Sequence, residues 1–281
     1  MTRRNAAAVL AAVALLATGC GGSAGEGGLL ETMRGAGYAR VPLAQTPPYT
    51  AISPSGEASG YMVDVTRLVL GKLGVPEIRA TSTTYDAMIP ALQAGQYDLL
   101  PGALNITEAR CRTILFSQPV TVQHEALAVP ADNPKKLTAY KDVAADAAVK
   151  LAVLSGSSQQ AFARAQGVKA DQMLAVPDAQ TGIAAVTGGR ADAFAAGQFT
   201  LQAQKDGTGA AIEIVVDLAS KLSGVGIGFR MSDRDVRDEF DRVLTELRQD
   251  GSLQDLYTKA GFTNADLLTT ATRADIAAEC K

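Results

Sequence analysis

From residue 29 onward the apolar positions switch repeatedly between the period of two that marks a strand and the three-to-four spacing that marks a helix. A short helix over Leu29 to Met33 is followed by an extended run, Tyr38 to Ala44, and then by a turn-rich stretch with Pro47, Pro48 and Pro54. The spacing of Met62, Val65, Val69, Leu70 and Leu73 predicts a helix that Gly74 stops. Glu77 to Ser82 reads as a strand, Ala87 to Ala94 as a helix ending at Gly95, and Asp98 to Leu104 as a buried strand. Short connections between strands and helices predict a parallel sheet covered by helices.

After Pro119 an extended run, Thr121 to Val129, opens a second unit. There the strands Lys150 to Leu154, Gln172 to Val176, Ala191 to Ala195 and Ile212 to Val216 alternate with helices over Ser158 to Gln166, Ala179 to Val186 and Gln198 to Lys205. A strand over Gly224 to Phe229, the amphipathic helix Asp233 to Gln249 and a helix over Leu253 to Lys259 return to the first unit. The pattern predicts a discontinuous first lobe, 29–122 with 222–281, and an inserted second lobe, 123–221. Chain crossings near Thr121 to Glu125 and Leu218 to Gly224 would form a hinge, and a ligand site is expected between the lobes, at the carboxyl ends of strands.

Residues 1–28 change the picture of where the chain works. Arg3 and Arg4 precede an apolar stretch, Ala6 to Leu16, far short of the roughly 20 residues a membrane span needs. It ends in LATGC, which resembles a lipobox, so residues 1–19 read as a lipoprotein signal peptide and Cys20 as the lipidated residue. The glycine-rich residues 20–28 read as a flexible tether. That places the chain outside the cytoplasm, anchored on the periplasmic or cell-surface side. An ordinary signal peptide with an incidental cysteine is the alternative.

Setting Cys20 aside leaves Cys111 and Cys280, an even pair in an oxidising compartment, for which a disulfide is expected. Two buried free thiols are the alternative. With 47% apolar and 20% charged residues the chain is globular, and a net charge of −3 offers no basic field for nucleic acid. One histidine, His124, and the acidic spacing give no metal constellation, and no phosphate loop or nucleophile elbow appears, so no cofactor is expected.

GALNITEARCRTILFSQP, Gly102 to Pro119, resembles the segment of extracellular solute-binding proteins of the polar amino acid type (family 3) in which a strand runs into a T-x-x-R turn and then FS-x-P. The resemblance implies a type II periplasmic-binding-protein fold, α/β and two-lobed, with mainly parallel sheets. It also implies that Arg110 grips a ligand carboxylate bidentately, as a planar guanidinium does well. A surface arginine in a helical turn is the alternative. PPYTAISPSGEASGYMVDV and YDAMIPALQAGQYDLL resemble the family's first loop and its ligand-stacking segment. In SGSSQ, the hydroxyl of Ser158 at a helix N-terminus would take the carboxylate from the second lobe, a plain N-cap role being compatible.

Within that family the chain is most similar to the ectoine- and hydroxyectoine-binding proteins, including Cys111 after Arg110 and Cys280 near the end. Their aromatic cage around the ligand cation implies that Tyr49 and Tyr85 are two cage walls; tyrosines packed in lobe cores are the alternative. Two departures stand out: Asn105 occupies the third cage position, and Thr46 replaces an acidic residue. Where amino acid binders place an aspartate after the GR-x-D-A segment, this chain has Gly197. The expected ligand is a small zwitterion with a diffuse, cyclic or substituted positive charge, and the expected protein partner an ABC permease, the binder acting as a monomer. Asp178 reads as a helix N-cap sooner than as a cleft counter-charge. Other readings are a polar amino acid binder, a ligand sensor without transport, and a cyclohexadienyl dehydratase-like enzyme. Against the last, the cleft is expected to hold no glutamate and only Thr46, Asn105 and Ser158 as polar groups.

Overall fold

The computed structural model describes residues 28–263 and 265–280. The signal peptide and Cys20 lie outside the described residues, as does the tether apart from its last glycine.

One hydrophobic core forms where two amphipathic helices cover a small set of strands. The helix Tyr61–Lys72 buries Tyr61, Met62, Val65, Thr66, Val69 and Leu70, a stripe at helical spacing. The helix Arg234–Gln249 buries Val236, Phe240, Val243, Leu244 and Leu247 in the same core. Each fully buried aliphatic or aromatic side chain contributes roughly 1.5–3 kcal/mol relative to exposure, so this stripe-on-stripe contact is what fixes the first lobe. The strands Tyr38–Leu43 and Glu77–Ser82 pair in parallel. Leu100–Asn105 lies beside them, the Asp98 N–H donating to Arg40 O at 2.9 Å, but its own ladder is antiparallel, with Ser223–Phe229.

The second sheet holds five strands in the order Met173–Val176, Leu151–Leu154, Ala193–Gly197, Glu125–Pro130, Ile212–Val216. The first three run parallel; Glu125–Pro130 is antiparallel to both its neighbours. Period-two alternation splits its side chains between two cores. Ala126 and Ala128 join Phe194, Ala196 and Ile183 on one face, while Leu127 and Val129 join Val153, Ala195 and Tyr140 on the other. The architecture is the two-lobed type II α/β fold; the expected parallel ladders are present, and the strands that return between the lobes add the antiparallel ones.

The chain passes between the sheets twice, side by side. Thr121–Gln123 pairs antiparallel with Ser223–Phe229, Ser223 standing opposite Gln123. The run expected as one strand from Thr121 to Val129 is broken at His124, after which Glu125–Pro130 belongs to the second sheet. On the return path the Asp217 N–H donates to Glu125 O at 2.9 Å. Phe199, at the start of the helix Gln198–Thr208, crosses the divide and packs into the first core against Phe262, ring centroids 4.7 Å apart.

Cys111 and Cys280 are joined by a disulfide with 5.4 Å between Cα atoms, closing a loop of 169 residues. It ties the C-terminal segment to the turn that carries Arg110. No helix among the described residues is long and apolar enough to cross a membrane.

Candidate ligand-binding site

The strand Leu100–Asn105 delivers the site's first residues because it ends in Asn105, and Thr107 then starts a short turn of helix. Thr107 caps that turn by accepting from the Arg110 N–H at 3.3 Å, which directs Arg110 back over the strand end. Arg110 Nη1 donates to Asn105 O at 2.8 Å, and Nη2 donates to Gly156 O, in the other lobe, at 3.1 Å. The guanidinium carbon lies 5.7 Å from the Tyr85 ring centroid, within cation–π range. Arg110 therefore stands between the lobes with its donors turned onto carbonyls of both.

Tyr85 opens a short 3-10 turn and is held by its hydroxyl, which donates to Ala103 O at 3.1 Å. Tyr49 is 2% exposed; its ring packs on Phe262 at 5.1 Å and its hydroxyl donates to Gln123 Oε1 at 2.9 Å. Burial pushes the Tyr49 phenol well above its usual range, so it stays a donor. Tyr49 and Tyr85 line a common cavity of about 30 Å³ with Thr46, Asn105, Gln123 and Gln159. A volume of that size takes about one water, so the lobes are closed upon each other. Thr46 turns its hydroxyl into its own loop, onto Thr50 Oγ1 at 2.9 Å and Ala44 O at 3.3 Å.

Asn105 lines a second, open cavity of about 770 Å³ together with Arg110, Glu125, Gly156, Ser157 and Ser158. Its amide donates to Ser158 Oγ at 2.8 Å and reaches Glu125 Oε1 at 3.5 Å. Ser158 is the first residue of the helix Ser158–Ala165, and its hydroxyl turns to Asn105 and Gln159. The N-cap is Ser157, accepting from the Gln160 N–H at 3.1 Å, so the cap role given as the alternative for Ser158 falls to its neighbour. Asp178 caps the helix Ala179–Thr187, accepting from the Thr181 N–H at 2.7 Å.

The expectation that the cleft holds no glutamate is also overturned. Glu125 is 5% exposed, in the cleft wall beside Asn105 and Ser158, and accepts from Gln159 Nε2 at 2.8 Å. Burial raises its carboxyl above the ordinary 4.5, and the nearby Asp217 adds to the rise, while hydrogen bonds from Gln159 and Ser223 oppose it. Gln123, Gln159 and Thr200 are further polar groups missed in the cleft. Gly197 explains how Gln123 fits: a methyl at this position would sit 2.3 Å from Gln123 Oε1. In the ladder Gly197 stands directly opposite Glu125. The sequence signal was present in HEALAV, a lone carboxylate opening a strand that is otherwise apolar.

Residues 40–263 match the family described as bacterial extracellular solute-binding proteins, family 3. The chain belongs to that family. It is 32% identical over 241 residues to a probable amino-acid ABC transporter periplasmic-binding protein of Sinorhizobium fredii, covering 83% of this chain and 80% of that one. It is 28% identical to the lysine/arginine/ornithine-binding periplasmic protein of Escherichia coli, covering 75% and 82%. Among solved structures, EhuB in complex with hydroxyectoine superposes with a TM-score of 0.83 at 31% identity, covering 90% of this chain and 97% of that chain. Two of these relatives are named as periplasmic binding proteins, one of them of an ABC transporter, and the third was solved with a bound solute. That kinship, and not a lack of cleft carboxylates, argues for binding over catalysis. As a member of that family, the chain is an extracellular solute-binding protein.

Proposed function

We propose that this family-3 protein captures a small zwitterionic solute by closure of its lobes, 29–122 with 222–281 against 123–221, and delivers it to the permease of an ABC importer from a lipid anchor on Cys20. The observation that carries the reading is the position of Arg110, whose guanidinium spans from Asn105 O in one lobe to Gly156 O in the other. A ligand carboxylate would take the donors that Gly156 O now occupies, and two parallel charge-assisted hydrogen bonds are a strong substitute for one to a neutral carbonyl. Ser158 and Asn105 offer further polar contacts, Thr46 belongs to the adjoining loop, and Tyr49 and Tyr85 supply the aromatic walls for a cation. The likeness to EhuB supports ectoine or hydroxyectoine as the solute. The likeness to the lysine/arginine/ornithine-binding protein supports a polar amino acid as the second reading.

Thermal melting of the purified protein against ectoine, hydroxyectoine, lysine, arginine, histidine and glutamine tests this. A ligand at 100 times its Kd stabilises the folded state by about 2.7 kcal/mol, a shift of several degrees. A flat response to every zwitterion would refute the reading.

A further inference from the structure

We propose that Glu125 is the anionic pole of the site, receiving the cationic end of the solute through N–H donors while Arg110 holds its carboxylate. This rests on the zwitterion reading above and narrows it: the ligand's positive group carries at least one N–H, as an ammonium, amidinium or guanidinium does. A quaternary ammonium, which has no donor, is excluded.

Four observations support it. First, Glu125 is buried at 5% exposure, yet no ion pair joins it to any basic side chain among the described residues. A buried carboxylate without a counter-charge is costly unless something cationic meets it. Lys221 lines the same cavity but is exposed and makes no such pair.

Second, the two oxygens of Glu125 are unequally used. Oε2 accepts from Gln159 at 2.8 Å, whereas the Asn105 amide stands 3.5 Å from Oε1, the outer limit of a hydrogen bond, and Ser223 is the other side chain that bonds the carboxylate. An N–H of a ligand cation would give Oε1 a closer donor than the Asn105 amide.

Third, opposite charges frame a short space. Arg110 and Glu125 line one cavity, and Asn105 stands between them, its carbonyl on Arg110 and its amide towards Glu125. The separation of the poles is therefore spanned by a single residue, which suits a small zwitterion and not a long peptide.

Fourth, the backbone makes room. Gly197 lies opposite Glu125 in the ladder, and its missing side chain leaves the space beside Glu125 to Gln123, an uncharged neighbour.

The test is calorimetric titration of wild type, Glu125→Gln and Glu125→Asp with hydroxyectoine, lysine, arginine and histidine, using glycine betaine as the quaternary probe. Wild type should bind a solute with N–H donors and reject glycine betaine. Glu125→Gln, which keeps the shape, should lose about 10- to 100-fold in affinity, as expected for a charged hydrogen bond. Glu125→Asp, which keeps the charge, should still discriminate against glycine betaine. Melting curves of the free variants establish that each is folded. Unchanged affinity in folded Glu125→Gln, or equal binding of glycine betaine by wild type, would overturn the inference and leave the zwitterion reading standing. If wild type binds none of these solutes, that reading falls and the inference with it.

Discussion

At Glu125 burial and charge act against each other. Its carboxyl is raised above 4.5 in the folded protein, chiefly by burial. A carboxyl whose folded value exceeds its unfolded one binds its proton more tightly when folded, so stability falls as pH rises from the unfolded value through the folded one. Below the unfolded value the penalty vanishes, and above the folded value it is complete. Free Glu125→Gln should therefore melt higher than wild type at pH 7, with the difference shrinking towards pH 4. Equal melting temperatures at pH 7 would contradict this account of the carboxylate's cost. Gly197→Ala would press a methyl to 2.3 Å from Gln123 Oε1. Displacing Gln123 strips the Tyr49 hydroxyl of its acceptor, and overpacking of this kind costs about 1–3 kcal/mol. Urea unfolding that shows no loss would mean Gln123 swings clear at no cost.

Elements were legible where apolar periods are sharply punctuated. Glu77–Ser82 and Ile212–Val216 run as their patterns predict, since turn residues such as Gly74 and Gly209 close off the preceding helices. The helix expected from Ser158 does start there, behind the cap Ser157, whereas the strand expected over Ala191 to Ala195 slipped to Ala193–Gly197. The helix Tyr140–Ala145 was missed because only Tyr140 and Val143 are its buried anchors. Arg110, Tyr85 and Asn105 could be placed from a local motif. Glu125 could not, because its place in the cleft depends on which strand it faces across the ladder and on the break at His124, both of which are non-local. Gly156, in the turn before the helix Ser158–Ala165, has φ +71° and a Cβ position 3.0 Å from Asp86 Cβ of the other lobe. Gly156→Ala should lower stability by about 1–2 kcal/mol through the backbone alone. Because the Asp86 contact exists only when the lobes meet, solute affinity should fall as well; calorimetry showing lower stability with unchanged affinity would place this contact outside the closure.

Across the whole molecule, the two lobes are coupled by paired crossing strands, by Phe199 inserted into the first core, and by the bonds Arg110 and Asn105 make across the cleft. The disulfide acts at one end of this arrangement, holding the C-terminal segment against the Arg110 turn. Closing 169 residues, it restricts the unfolded chain strongly, and its removal in the paired Cys111→Ser and Cys280→Ser variant should cost about 2–5 kcal/mol. Urea unfolding with unchanged stability would show that the tail docks without it. The central claim is that a solute carboxylate joins the lobes through Arg110. The most direct measurement is calorimetric titration of wild type and Arg110→Ala with the zwitterion that gives the largest melting shift. Binding in wild type and a loss of about 100-fold or more in Arg110→Ala, in line with the 2–5 kcal/mol cost of truncating one partner of a buried charge pair, is the result the account predicts. Equal affinity in the two proteins would contradict it.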